Sequence, residues 1–245
     1  MQKKPYEQEP SSWQSNAGRE QRNDLVKKII IWGGIALASI AGIALLVKLA
    51  GTSSSTAPIE TPNLPEVSAN EIIVGEKNAK VSIIEYSDFQ CPACASYNPV
   101  VNKLLSDYSG KVRLVYRFFP LRTIHKNGII SSQAGYAAWK LGKFSEMKDE
   151  LFINQKDWES LDEGKAKEAF IDYAKGLKLD GNKFKEIMNS NEAKNAVLDG
   201  EKEALGLGLN STPTFFLGNK RVQPGGYEDF KKLIDDELIG QKPLQ

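Results

Sequence analysis

Val81-Ser-Ile-Ile-Glu-Tyr-Ser-Asp-Phe-Gln-Cys-Pro-Ala-Cys94 is the stretch of sequence on which the fold of this chain depends. It begins with an apolar run rich in β-branched residues, Val81 to Tyr86, which predicts a buried strand. Pro92 stands where the first residue of a following helix is expected. Cys91 then lies at a helix N-terminus, where unpaired N–H groups and the helix dipole stabilise a thiolate. Cys94 follows one turn later, close enough to form a disulfide with Cys91, and this geometry predicts thiol–disulfide exchange.

Three other interpretations of the two cysteines compete with a redox role. A structural zinc site needs four ligands, but the chain contains only two cysteines and one histidine, so we predict no metal. A purely structural disulfide would close a very short loop and remove little chain entropy. Two reduced and inert thiols are the third alternative. The net charge of +1 gives no reason to expect a nucleic-acid partner.

The N-terminal part of the sequence predicts a membrane anchor. Residues 1–28 are polar and predict a disordered tail. The run from Ile29 to Val47 has no charged residue, and as a helix it would extend roughly 28 Å, close to a bilayer core of about 30 Å. We therefore predict a transmembrane anchor over 29–50. The alternatives are a buried soluble helix, which is usually shorter, and a cleaved signal peptide, whose apolar region is usually shorter still.

Basic residues near the predicted anchor indicate its orientation. They precede it as Lys3, Lys4, Arg19, Arg22, Lys27 and Lys28, whereas after the boundary residue Lys48 the next cation is Lys77. The positive-inside rule then places the N-terminus in the cytoplasm and the rest of the chain on the extracytoplasmic face of the cell membrane. Disulfides persist in that compartment. Residues 51–69 are rich in Ser, Thr and Pro and predict a linker, leaving 70–245 as the folded domain.

The pattern of residues 70–245 predicts an α/β fold with a long helical segment inside it. A strand, a helix and a strand around the cysteines imply a right-handed parallel crossover. The strand pattern then stops, and helices are predicted across about 122–208. A β-hairpin and a closing amphipathic helix follow. The predicted strands are Glu71–Val74, Val81–Tyr86, Lys111–Phe118, Thr214–Leu217 and Lys220–Gln223; the helices are Cys91–Tyr108, Ser131–Leu141, Phe144–Phe152, Gly164–Leu177, Asn182–Met188, Ala193–Leu205 and Tyr227–Leu238.

This order of elements resembles the thioredoxin fold with a helical insertion, here preceded by one transmembrane helix. The sequence looks most like the DsbA family of extracytoplasmic thiol:disulfide oxidoreductases, especially its membrane-anchored members. The resemblance covers roughly Ile72 to Leu238 and rests on three motifs: Glu85-Tyr-Ser-Asp-Phe-Gln-Cys-Pro-Ala-Cys94, Phe119-Pro-Leu-Arg-Thr-Ile-His125 and Ser211-Thr-Pro-Thr-Phe-Phe216. It implies no cofactor.

The resemblance implies a role for each site residue. Cys91 would exchange disulfides with the substrate, and Cys94 would resolve the mixed disulfide. Thr212 and a cis Pro213 would bind the substrate backbone opposite the dithiol. Glu85 matches the buried acid of the family and would exchange a proton with Cys94, directly or through water. Its position in an apolar strand independently predicts a raised pKa, although a carboxylate at the solvated end of the strand is the alternative.

Two residues qualify this resemblance. Ala93 stands where the strongly oxidising members carry histidine, so the extreme of oxidising power is not expected here. His125 matches a histidine that the family often has without a chemical role, and we predict a structural or surface position for it.

The resemblance implies an oxidase that introduces disulfides into cysteine-containing exported proteins and is reoxidised by a quinone-linked membrane partner. The alternatives are a reductase or isomerase, and a redox-silent module that binds extended peptides.

Overall fold

The computed structural model of this chain describes residues 27, 32–34, 64–68 and 70–240. The chain divides into two units, 1–58 and 59–245. Within the first unit, residues 27 and 32–34 are helical. Apart from these positions, the predicted tail and anchor lie outside the described residues. No helix of the described part of the chain is both long and apolar enough to cross a bilayer.

Within the described residues, five strands form one mixed sheet. They are β1 (Ile72–Gly75), β2 (Val81–Ser87), β3 (Val112–Phe118), β4 (Thr214–Leu217) and β5 (Lys220–Val222), in the spatial order β1-β3-β2-β4-β5. β2 and β3 are parallel, and the other pairs are antiparallel. The parallel crossover predicted for the strands on either side of the cysteine helix is therefore present, and the helix that connects them carries the dithiol at its N-terminus.

The helices agree with the predicted pattern, with one addition. They are α1 (Pro92–Asp107), α2 (Gly128–Lys140), α3 (Phe144–Ile153), α4 (Gln155–Trp158), α5 (Glu163–Gly176), α6 (Gly181–Met188), α7 (Asn191–Gly206) and α8 (Tyr227–Gly240). Between β3 and β4, where every residue is described, the structure has six helices rather than the five predicted. The additional helix, α4, has four residues, which is too short to show a helical period in the sequence.

The sheet separates two buried clusters, and the alternation of β2 decides which residues face the dithiol. Val81 and Ile83 belong to the larger cluster, which also contains Cys94, whereas Ile84 and Tyr86 belong to the smaller one. Because side chains alternate between the faces of a strand, Glu85 points to the same face as Ile83, towards α1. The sheet thus places a carboxyl group beneath the helix that carries the cysteines.

A buried lysine of the helical insertion forms hydrogen bonds with α1, the helix that carries the cysteines. Lys148 of α3 is 1% exposed, and its Nζ donates to the side-chain oxygens of Asn98 and Asn102 on α1. Its Nζ also lies 3.0 Å from Oδ1 of Asp149. A buried ammonium group is tolerated only when it is paired and hydrogen-bonded, and these contacts meet both conditions. The insertion and the helix of the dithiol are thereby held in one arrangement.

Before β1, residues 64–68 lie against the domain although they belong to the predicted linker. Leu64 is 7% exposed and packs in the smaller cluster. The carbonyl of Pro65 accepts a hydrogen bond of 3.1 Å from Nη2 of the buried Arg117 on β3. This short segment therefore forms part of the packed structure.

Candidate active site

Cys91 occupies the N-cap position of α1 and Cys94 the third residue of that helix. The backbone of Cys91 is extended, with φ −79° and ψ 121°, and its N–H donates to the carbonyl of Asp88 at 3.0 Å. Cys91 is 6% exposed and Cys94 has no exposed surface. Both are free thiols, so the structure shows the dithiol form of the predicted redox pair.

The pKa of the Cys91 thiol is lowered from 9.0 to about 6. The largest cause is a hydrogen bond from the Cys94 thiol, which stabilises the thiolate; burial acts in the opposite direction. The Thr212 hydroxyl and the backbone N–H groups of Cys94 and Ala93 lower the pKa further. The Thr212 hydroxyl is buried and has no hydrogen-bond partner among the described residues, so it is free to donate to a thiolate.

The pKa of Cys94 changes in the opposite direction, well above its ordinary value. Burial is the main cause, and the hydrogen bond to Cys91 and the negative charges of Cys91 and Glu85 add to it. Near neutral pH the site therefore holds one thiolate and one thiol. The lowered pKa gives Cys91 the thiolate character that a nucleophile needs, and the raised pKa keeps Cys94 protonated.

Thr212 and Pro213 lie across the site from the cysteines. The peptide bond between them is cis, as predicted. The Cys91 thiol donates to the carbonyl of Thr212, with 3.3 Å between sulfur and oxygen. Pro213 also lines a cavity of about 420 Å³ beside β4 and β5; its other lining residues are Ser211, Thr214, Arg221, Val222 and Gln223. Thr212, whose carbonyl contacts the Cys91 sulfur, therefore lies in the chain between Ser211 and Pro213, which both line this cavity.

Glu85 is buried, which excludes the alternative of a carboxylate at the solvated end of the strand. It is 4% exposed, and burial raises its pKa from 4.5 to about 7. The Ser87 hydroxyl and the charge of Lys148 lower this pKa by smaller amounts, whereas a charged Cys91 raises it. A carboxyl with a pKa near neutrality can both accept and donate a proton under the conditions in which the dithiol works.

His125, for which a structural or surface role is predicted, is partly buried, with 13% of its side chain exposed, and the sequence analysis did not identify its partner. Its Nδ1 lies 2.7 Å from Oδ2 of Asp88, a carboxylate with no exposed surface. Asp88 stands three residues before Cys91 in the stretch that organises the fold. The position of Asp88 between a buried strand and a helix could have marked it as a candidate site residue. The sequence gives no indication that a histidine from the helical insertion would contact it.

Comparison with known proteins identifies the family. The family model described as "Thioredoxin" matches residues 67–236. The chain belongs to the thioredoxin family. Within curated relatives, a probable disulfide bond formation protein D from Bacillus cereus is 30% identical over 172 residues, which cover 67% of this chain and 77% of that protein.

Another relative of this thioredoxin-family chain is much longer. The Na(+)/H(+) antiporter NhaA 3 of Salinispora tropica is 31% identical over 173 residues, which cover 71% of this chain but 25% of the antiporter. The chain thus spans about a quarter of that relative, and the similarity gives no reason to assign transport to it.

Solved structures confirm the fold of this family member. BdbD from Bacillus subtilis in its oxidised form has a TM-score of 0.62 and 23% identity, covering 69% of this chain and 94% of that one. Wolbachia pipientis alpha-DsbA1 has a TM-score of 0.63 and 19% identity, covering 74% and 98%. The predicted thioredoxin fold with a helical insertion is confirmed. The chain thus combines the fold of the thioredoxin family with the two free cysteines Cys91 and Cys94.

Proposed function

We propose that this chain is an oxidase that introduces disulfides into exported proteins through Cys91 and Cys94. The observation that carries the proposal is the opposite effect of the site on the two sulfurs, since the pKa of Cys91 is lowered to about 6 while that of Cys94 is raised. A fold that stabilises one thiolate favours the dithiol over the disulfide. Its disulfide is then readily given up to substrate thiols.

The reaction proceeds by two exchanges. A substrate thiolate attacks Sγ of Cys91, a new sulfur–sulfur bond forms, and Cys94 leaves as a thiolate. A second substrate thiolate then attacks the substrate sulfur of this mixed disulfide, and Cys91 leaves as a thiolate. The substrate gains one disulfide and loses two electrons, which remain on Cys91 and Cys94.

Glu85 supplies the proton that the first exchange requires. The Cys94 thiolate is disfavoured because it is buried and because the charge of an ionised Glu85 acts on it. Proton transfer from the neutral carboxyl leaves Cys94 as an uncharged thiol and Glu85 as the carboxylate, and it is favourable because the pKa of Glu85 is lower than that of Cys94. With a pKa of about 7, Glu85 is protonated in a substantial fraction of molecules near neutral pH and can recover its proton between cycles.

The cavity that Pro213 lines would hold the substrate as an extended segment. The carbonyl and N–H of Thr212, the residue before Pro213, would pair with a peptide backbone beside Cys91, because Sγ of Cys91 already contacts the Thr212 carbonyl. Cysteine-containing exported proteins are the proposed substrates, and a quinone-linked membrane protein is the proposed oxidant that restores the disulfide.

The glutathione equilibrium of the chain tests this proposal. We expect a reduction potential of about −200 to −130 mV, above the value of about −270 mV for thioredoxin and below about −120 mV for DsbA. The reduced form should also be the more stable of the two towards denaturant. A potential below about −250 mV, with the oxidised form more stable, would identify a reductase instead.

We also propose that the predicted anchor over 29–50 holds the thioredoxin-family domain on the extracytoplasmic side of the membrane. The support is the uncharged run of the sequence and the excess of basic residues before it. Protease added to spheroplasts should digest the domain and leave residues 1–28 protected. A mature chain that begins near Gly51 would show instead that the segment is a cleaved signal peptide.

A further inference from the structure

The short helix α4 carries a glutamine that contacts the backbone of the loop before the dithiol helix. Gln155, the first residue of α4, is 3% exposed. Its Nε2 donates to the carbonyl of Phe89 at 2.7 Å and to the carbonyl of Cys91 at 3.1 Å. Because both partners are acceptors, the NH2 end of the amide faces them. One side chain of the helical insertion therefore bridges the residues on either side of Gln90.

The same part of the insertion contacts the loop a second time. Nε2 of Gln90 donates to the carbonyl of Glu159, the residue after α4, at 2.9 Å. Trp158 holds α4 in place, since it has no exposed surface and its Nε1 donates to the carbonyl of Leu151 at 2.9 Å. The loop over 89–91 is thus attached at both ends of a helix that is itself anchored in the core.

The placement of the Cys91 backbone matters for the charge on its sulfur. Cys91 is the N-cap residue of α1, a position from which a side-chain acceptor can meet the N–H groups of the second and third helical residues. These N–H groups belong to Ala93 and Cys94, and both lower the pKa of the Cys91 thiol. Hydrogen bonds weaken steeply when they are misaligned, so the thiolate depends on this placement. A disulfide sulfur is uncharged and gains less from the same donors.

We propose that Gln155 is a positioning residue of the dithiol site, whose amide holds residues 89–91 so that the Cys91 sulfur faces the N-terminus of α1. This role rests on the proposed exchange function and adds to it a backbone support from the helical insertion. Gln155 acts through the carbonyls of Phe89 and Cys91 rather than on the sulfur itself. Loss of its amide should therefore disfavour the thiolate form of the site more than the disulfide form.

Replacing Gln155 by methionine tests the proposal, because methionine is also unbranched and similar in length but has no N–H to donate. The thiolate absorbance of the reduced full-length variant in mild detergent should show a Cys91 midpoint about half a pKa unit above that of the wild type. This corresponds to about a threefold change in the ionisation constant. At a pH where Cys91 is ionised, the glutathione equilibrium should move about threefold towards the disulfide form.

Gln133→Met is the matched control. Gln133 of α2 is also buried, and its Nε2 donates to the carbonyl of Met188 on α6 at 3.0 Å. This hydrogen bond joins two helices of the insertion and does not involve the dithiol loop. We expect Gln133→Met to lower the stability of the reduced and disulfide forms equally and to leave the Cys91 midpoint at the wild-type value. Gln155→Met should lower the stability of the reduced form more than that of the disulfide form.

If Gln155→Met does not fold, Gln155→Asn takes its place in the titration. Asparagine keeps the amide but is shorter by one methylene, so it should not bridge both carbonyls, and the Cys91 midpoint should again rise. An unchanged midpoint in the folded Gln155 variant, or the same shift in Gln133→Met, would refute the positioning role and leave Gln155 with a structural role only.

These measurements report ionisation and the relative stability of the two redox forms, not disulfide transfer to a substrate. A reductase with this loop would still show the shift of the Cys91 midpoint in the Gln155 variant. An oxidase in which Gln155 has no positioning role would still give the expected potential for the wild type.

Discussion

Replacing Glu85 by glutamine should remove a pH-dependent loss of stability. Burial raises the pKa of Glu85 from 4.5 to about 7, so between these values the folded chain keeps a proton that the unfolded chain releases. The free energy of unfolding then falls as the pH rises through this window. Each pKa unit corresponds to about 1.4 kcal/mol, so the loss reaches about 3 kcal/mol above pH 7. Glutamine is neutral and nearly isosteric with the protonated acid, and it does not incur this loss.

The measurement is urea unfolding of wild type and Glu85→Gln over a range of pH, with the disulfide formed so that the thiols do not titrate. We expect similar stability below pH 4.5 and a variant about 3 kcal/mol more stable than wild type at pH 8. Glu168→Gln, which removes an exposed carboxylate of α5, is the control and should not change the pH profile of the wild type. A difference between Glu85→Gln and wild type that is the same at every pH would refute the argument, because the carboxyl would then not titrate in the folded state.

Three further experiments, one on the unaltered chain and two on variants, test the properties of the dithiol. Alkylation of the reduced chain should label Cys91 and spare Cys94, with a rate that rises through about pH 6 and then levels off; peptide mapping that finds Cys94 labelled first would reverse the assignment. Thr212→Val removes a hydroxyl that can donate to the thiolate, and the Cys91 pKa measured by thiolate absorbance should rise by about half a unit or more; no rise would show that the hydroxyl does not reach the sulfur. Ala93→His should lower the Cys91 pKa and shift the potential upward by tens of millivolts, about 30 mV for each 1.4 kcal/mol of thiolate stabilisation; an unchanged glutathione equilibrium would contradict this.

The sequence alone determined the elements around the dithiol. The apolar run before Cys91 and the proline after it predict a strand followed by a helix, and the structure has β2 and α1 there. These features depend on contacts between neighbouring residues and on which face of an element is apolar. Neighbouring contacts and the apolar face of an element can both be read from the order of residues along a short stretch of sequence. The helix α4 was not predicted because its four residues form barely one turn, which is too short to show an apolar period.

The charge environment of the dithiol was decided by the tertiary structure. Sequence pattern placed Glu85 in a strand, but its buried state depends on the elements that cover that face of the sheet. Cys91 and Thr212 are 121 residues apart, and Asp88 and His125 are 37 residues apart. Local pattern shows that such residues are polar but not which of them meet. Burial and electrostatic interaction act through space, so the pKa of each group follows from the path of the whole chain.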